Sequence, residues 1–290
     1  MGDLGIGVGT IELLIKLRTS GYLSDRTAVM DIGAQQLANS FLSAPDRIAY
    51  LGKQFGIDRP FSLASAKPSH IVHGDLEHLN ANAPFARDFW LWLGFDYGAI
   101  DIDGSPGSIG LDLNYDSVPP EVKGKYDLVT NFGTTEHVAN QLNAFEVIHD
   151  LTRYRGIMLH ELPAQGMLNH GLVNYNFKFF WMLARSNGYR FIHAAFGHSH
   201  EPYSLPNDIV DFLNSTVPGA GDTVCEFSAR DAGILVVMQK AFNIAYVPPI
   251  DVPTGTQTGI ESLKRRYWTV FEPDAFERLR MNNPSRRDVE

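Results

Sequence analysis

The chain has 290 residues, 44% of them hydrophobic, which suits one large domain or one domain carrying an insert. A formal net charge of −9 opposes a phosphate backbone, so no nucleic-acid partner is expected. The single cysteine, Cys225, excludes an internal disulfide and a cysteine-rich metal centre, and fits a reducing compartment.

The chain start lacks the charged, apolar and small-residue pattern of a signal peptide. No apolar run approaches the roughly 18 residues needed to span a bilayer. A soluble, cytoplasmic protein with no membrane partner is expected. The opening Gly5-Ile6-Gly7-Val8-Gly9 follows no strand and reads as a flexible terminus, not as a phosphate loop. Ile11, Leu14, Ile15 and Leu17 share one side of a helix predicted over 10–20.

Strand one is predicted over 27–32. It ends in Asp31-Ile32-Gly33-Ala34-Gln35-Gln36: an acid, a glycine turn, then polar residues opening a helix from about Gln35. Residues 42–92 then intervene, with Pro45, Pro60, Pro68 and Pro84 and the aromatic run Phe89-Trp90-Leu91-Trp92. This is longer than an ordinary strand–helix unit and reads as a mostly helical insert, lying over the site or one side of the core. Trp90 and Trp92 are expected to pack in the core. Strand two, about 97–102, ends in Ile100-Asp101-Ile102-Asp103, and a short strand ends near Asp112 in Leu111-Asp112-Leu113-Asn114.

Strand four, Tyr126–Thr130, closes with Asn131-Phe132-Gly133, and a helix is predicted from Thr135, capped by Thr134 or Thr135. Gly156 leads into strand five, 157–160. The loop from Glu161 to Asn176 leads to a helix over 177–187 that Gly188 stops. Final strands are predicted over 191–195 and 232–238, with a short helix over 208–213 between them. The last 40 residues read as a solvated tail with one helix around Lys264-Arg265-Arg266.

Alternation of strands and helices predicts an α/β fold with a mostly parallel sheet. The boundaries are an N-terminal helix over 1–26, a main domain over 27–245 with its insert at about 42–92, and a C-terminal extension over 246–290. In doubly wound folds ligands bind outside the carboxyl ends of the strands. Three acids at successive strand ends suit a ligand with hydroxyls and an amino group, and would repel a bare phosphate.

These pieces resemble the class I S-adenosylmethionine-dependent methyltransferases. The resemblance rests on Val29-Met30-Asp31-Ile32-Gly33, Ala99-Ile100-Asp101-Ile102, Asp112, Tyr126-Asp127-Leu128-Val129, Thr135-Glu136-His137-Val138 and Gly156-Ile157-Met158-Leu159, in the family's order over about 27–240. It implies a doubly wound, mostly parallel, seven-stranded Rossmann-like sheet with a helical insert after strand one, and S-adenosylmethionine as cofactor. By the same resemblance Asp31 receives the cofactor's ammonium, directly or through water, and Gly33 lets the backbone pass close. Asp101, or Asp103 in its place, takes the ribose hydroxyls. Asp112 accepts from the adenine amine beside the Leu113 amide. Asn131, Phe132 and Gly133 line the methionine and sulfonium, and Glu136 shapes the pocket. The family's second and third glycines are replaced here by Gln35 and Leu37. Gln35 could instead donate to the cofactor carboxylate.

A small-molecule methyl acceptor, such as a sugar or another hydroxylated metabolite, is expected at the same sheet edge, with a base where the acceptor must lose a proton. His170, Glu161 and His137 are the candidates, at or after the ends of strands four and five. His149 and His193 read as packing residues. His198-Ser199-His200-Glu201 lacks a third ligand at a diagnostic spacing, so no metal is expected. Two other classes stay open. A nicotinamide-dependent oxidoreductase or epimerase would need Gly-x-Gly-x-x-Gly, and Gly33-Ala34-Gln35-Gln36-Leu37-Ala38 lacks two of its three glycines. A non-catalytic binding domain that kept the fold is the other.

Overall fold

The structure, a computed structural model, describes residues 5–62, 84–105, 107–167, 169–198, 201–204, 232–251 and 261–267, with the backbone alone for 196–198 and 201–204. The helix expected over 208–213 and the side chains of His198, His200 and Glu201 lie outside the described residues. No described helix is long and apolar enough to cross a membrane.

Helix α1 spans Val8–Thr19 and buries Ile11, Leu13, Leu14 and Leu17. The segment before it is not the loose terminus expected. Ile6 is fully buried; its N–H donates to the Gln36 carbonyl at 2.8 Å and its carbonyl accepts from Ala38 N at 3.0 Å. An apolar residue taken from water must bring its backbone polar groups to partners, and the Ile6–Leu37 bridge supplies them.

Strand β1 (Ala28–Ile32) is followed by α2 (Asn39–Leu42), α3 (Pro45–Gln54) and α4 (Ala86–Trp92). The helix expected from Gln35 therefore starts at Asn39. Gln36 and Leu37 instead form bridges with Phe85 and Ile6, and Leu37 N donates to the Pro84 carbonyl at 2.8 Å. Backbone groups committed to those partners cannot also close helical turns.

Strands β2 (Asp96–Asp101) and β3 (Ser108–Gly110) follow, so β3 ends before Asp112. After β4 (Tyr126–Phe132) comes a single 3₁₀ turn, Thr135–His137, and then α5 (Gln141–Leu151). The helix expected from Thr135 is displaced to Gln141, and its cap is Asn140, whose side chain accepts from Asn143 N at 3.3 Å. The two threonines are committed elsewhere. Thr134 donates to the Ile32 carbonyl at 2.6 Å, and Thr135 Oγ1 accepts from Asn131 Nδ2 and from the Tyr175 hydroxyl, both at 2.9 Å.

The remaining elements among the described residues are β5 (Thr152–Gln165), α6 (Phe177–Asn187), β6 (Tyr189–His198), β7 (Glu201–Ser204), β8 (Ala232–Lys240) and α7 (Glu261–Arg266). Gly188 ends α6 in the left-handed region, φ +67°, as its position past the helix predicts.

The described strands form an eight-stranded sheet in the order β3-β2-β1-β4-β5-β8-β6-β7. Pairs from β3 through β5 are parallel; β8 runs antiparallel to β5 and β6, and β7 antiparallel to β6. This is the doubly wound, mostly parallel arrangement that the resemblance implies, with β7 added at the edge as an eighth strand. The chain steps from β1 toward β2 and β3 on one side, then returns to place β4 and β5 on the other. The crevice at this reversal, between β1 and β4, is where such a sheet binds ligands.

Strand alternation divides the core. Val29, Leu128, Ile157 and Leu159 face one side with Phe41, Phe89, Trp90 and Trp92 of the N-terminal helices. Met30, Val129, Met158 and Val236 face the other with Phe145 and Phe180 of α5 and α6. Both tryptophans are core residues, as expected: Phe89 meets Phe41 edge-on at 4.8 Å, and Trp90 stacks on Phe95 at 5.7 Å.

Candidate active site at the carboxyl ends of the strands

The turn after β1 is held by side chains where further glycines would be expected. Gly33 adopts φ +78°, its N–H donates to the Ile100 carbonyl at 2.7 Å, and a Cβ there would stand 2.3 Å from Thr134 Oγ1. Only glycine fits both conditions. Gln35 is buried and turned back: its Nε2 donates to the carbonyls of Ile32 (2.9 Å) and Gly33 (3.2 Å) and lies 3.3 Å from Thr134 Oγ1. The amide nitrogen that could have reached a ligand carboxylate thus pins the turn to β4. Asp101 completes the closure, one oxygen accepting from Ala34 N at 2.7 Å and the other from Asp103 N at 3.2 Å. Asp103 accepts from Ser105 N (2.8 Å) and Oγ (2.6 Å), which shapes the β2–β3 loop. Between the two acids, Ile102 is 77% exposed, an apolar face beside polar groups.

Asp31 is wholly buried rather than open to a ligand. Its carboxylate accepts from the hydroxyl of Thr130, from Trp90 Nε1 at 3.1 Å, and from the Tyr97 hydroxyl. One side chain therefore ties β1 to β4, to β2 and to helix α4. Loss of water around it outweighs those hydrogen bonds and raises its pKa from 3.8 to about 7. Trp90→Phe keeps a buried aromatic ring but removes the indole N–H. The expected cost is about 1–3 kcal/mol, read as a lower urea midpoint at unchanged slope.

Asp112 sits in the turn after β3, half-buried, and accepts from Asn114 N at 2.8 Å and Asn114 Nδ2 at 3.3 Å. The adjacent Leu113 is buried, and its carbonyl accepts from Asn143 at 2.9 Å. At the end of β4, Asn131 is fully buried. Its amide nitrogen bonds Thr135 and lies 3.3 Å from His160 Nδ1. Burial pushes the His160 imidazole down to about 3, so it is neutral, with Nδ1 placed to accept from Asn131. Phe132 is buried in the cluster that holds Phe41, Phe89 and Trp90. Gly133, at φ +72°, donates to the Glu161 carbonyl at 3.0 Å.

Three of the expected site residues converge although His170 is 34 positions from Glu136 in the sequence. Glu136 is fully buried in the 3₁₀ turn after β4. His170 Nε2 lies 3.4 Å, and His137 Nε2 3.8 Å, from the same Glu136 oxygen, and the two rings are 5.4 Å apart. The loop bearing His170 is fastened there: Leu172 N and Val173 N donate to the Glu136 carbonyl at 2.8 and 3.1 Å. Tyr175 anchors the loop's far end through its hydroxyl, to Thr135 at 2.9 Å and Gln141 at 2.5 Å. A Cβ on Gly171 would stand 2.8 Å from Glu136 Cγ, so glycine is required for this approach. The nearby Glu136 carboxylate raises the His170 imidazole above its ordinary range. β5 runs on to Gln165 rather than stopping at 160, because its far half pairs with β8; Glu161 is therefore an exposed residue within the strand, level with Phe132 at the end of β4 and on the sheet face of Leu159, opposite His160. His149 and His193 are packing residues in position: His149 is buried between the Tyr189 hydroxyl (2.6 Å) and the Ile244 carbonyl (2.8 Å), and His193 is half-buried on β6. Tyr97, Ile102, Thr134, Gly171 and Tyr175 contact or adjoin these residues without having been expected as site residues. Of these only Ile102, an apolar residue directly after a strand-end acid, carried a local signal.

No family model matches the sequence, and no curated protein matches it. Solved structures with a similar arrangement include 1,6-didemethyltoxoflavin-N1-methyltransferase from Burkholderia thailandensis, 11% identical over 81% of each chain, TM-score 0.39. A SAM-dependent methyltransferase from Archaeoglobus fulgidus is 12% identical, covering 79% of this chain and 94% of that one, TM-score 0.38. Another from Aquifex aeolicus is 11% identical, covering 79% and 89%, TM-score 0.36. The fold itself rests on the strand order and directions given above.

Proposed function

We propose that this chain is a class I S-adenosylmethionine-dependent methyltransferase that acts on a hydroxylated small molecule. The observation that carries the reading is the switch point between β1 and β4, bordered in strand order by the Gly33 turn, Asp101 and Asp112. In this reading Asp101, with Asp103 behind it, takes the ribose hydroxyls, and Ile102 offers an apolar face to the base. Asp112 and the Leu113 amide meet the edge of the adenine. Asn131, Phe132 and Gly133 form the floor under the methionine. Asp31 and Gln35 act from behind, keeping the turn in place. Methyl transfer needs little covalent help from protein; the cofactor brings the reactive group and the protein supplies orientation. His170 and His137, with Glu161 across Gly133, face the acceptor, and Glu136 holds the histidines.

The test is thermal denaturation with candidate ligands. S-adenosylhomocysteine is expected to raise the midpoint and NAD to leave it unchanged. Stabilisation by NAD alone would favour the oxidoreductase and overturn the proposal, and indifference to both would favour a non-catalytic domain.

A further inference from the structure

Glu136 presents an electrostatic problem that hydrogen bonding does not solve. It is 0% exposed, yet neither carboxylate oxygen has a hydrogen-bond donor among the described residues. A buried charge left in this way is strongly destabilising unless something positive stands beside it. The two imidazoles that face it reach ion-pair distance but close no hydrogen bond to it. A charge-assisted N–H···O bond closes to about 2.8 Å, whereas the histidine nitrogens stop at 3.4 and 3.8 Å from one oxygen.

Separations of this size are nearer to those of ligands that share one ion. Ligands arranged tetrahedrally on metal bonds of about 2.1 Å lie about 3.4 Å from one another. All three donor atoms fall within 4.8 Å of one another, and no other group of His, Cys, Asp and Glu gathers so among the described residues. The frame is rigid: two backbone N–H groups clamp the Glu136 carbonyl, and Gly171 packs against its side chain. The His137 and His170 side chains are 44% and 26% exposed while Glu136 is wholly buried, so the cluster reaches solvent through its histidines.

We propose that Glu136, His137 and His170 bind one divalent first-row transition-metal ion, through the Glu136 carboxylate and the Nε2 atoms of both histidines. Two imidazoles and one carboxylate suit zinc, manganese, iron or cobalt better than magnesium or calcium, which prefer all-oxygen sites. Three protein ligands leave coordination positions open toward the exposed side, the pattern of reactive rather than structural sites. The site stands without the methyl-transfer reading. Its use, to hold an acceptor through an oxygen donor, rests on that reading.

The experiment is a titration of the chelator-treated, full-length chain with cobalt chloride, followed by visible d–d absorption. The expected result is a saturable band at one equivalent that zinc abolishes. His137→Ala, at the most exposed of the three positions, should weaken binding at least about tenfold with the far-ultraviolet circular dichroism unchanged. His170→Ala and Glu136→Gln should do the same. A wild-type chain with no saturable band, or equal cobalt affinity in wild type and both histidine variants, overturns the site. The thermal response to S-adenosylhomocysteine, measured on the same samples without metal, separates the two proposals. Cobalt binding in a chain indifferent to S-adenosylhomocysteine upholds the site and rejects its acceptor role. A response to S-adenosylhomocysteine with no cobalt band rejects the site alone.

Discussion

Between pH 4 and pH 7 the wild-type chain is expected to lose stability relative to Asp31→Asn, by roughly 3 kcal/mol of a total linkage of roughly 4 kcal/mol at one pKa unit per 1.36 kcal/mol. The sign follows from the direction of the shift. Folding raises the Asp31 pKa from 3.8 to about 7. Over that interval the native state holds a proton that the unfolded state has released. Stability is therefore fully present below the unfolded value and is lost as pH rises through the native one. Asparagine keeps the shape and one acceptor oxygen, and the hydroxyls of Thr130 and Tyr97 can turn to accept from its amide. It has no proton to lose in this range. The measurement is urea denaturation of both chains at several pH values. Taking the difference removes the titration of every other group. A difference that stays flat from pH 4 to 7 would show that Asp31 does not carry this linkage.

The second large effect is on ligand binding. At one hundred times its dissociation constant a ligand adds roughly 2.7 kcal/mol to stability. S-adenosylhomocysteine is expected to give the wild type a shift of that order, and Asp101→Ala to abolish it. The alanine variant also frees Ala34 N, which Asp101 caps at 2.7 Å. The proper readout is thus the ligand-induced shift within each variant, not the midpoint alone. Asp101→Asn keeps an acceptor for that turn while removing the charge, and should retain a reduced response. Asp96→Ala, at the opposite, exposed end of the same strand, should respond as the wild type does. A full shift in Asp101→Ala would remove Asp101 from the ribose role.

Much of the architecture was legible because it is local. Apolar runs ending in an acid placed β1 and β2 to within a residue or two, and Gly188 marked the end of α6. The failures share one cause. Thr134 and Thr135 look like helix caps in sequence but spend their hydroxyls on Ile32, Asn131 and Tyr175, so α5 begins six residues later at an asparagine cap. Gly5–Gly9 looks loose until Gln36 and Ala38 bond to Ile6. In each case the competing partner is distant along the chain, and periodicity carries no information about it.

The sequence by itself determined the α/β alternation, the carriage of the acids at strand ends, and the residue types available for chemistry, because period and punctuation act over a few residues. Only the tertiary structure decided what those residues do. It closed Asp31 inside against Trp90, 59 residues away, and Thr130, 99 away, where the lost hydration governs its protonation. It turned Gln35 inward, onto the carbonyls of Ile32 and Gly33. It brought His170, 34 residues along the chain, to within 3.4 Å of the fully buried Glu136 carboxylate.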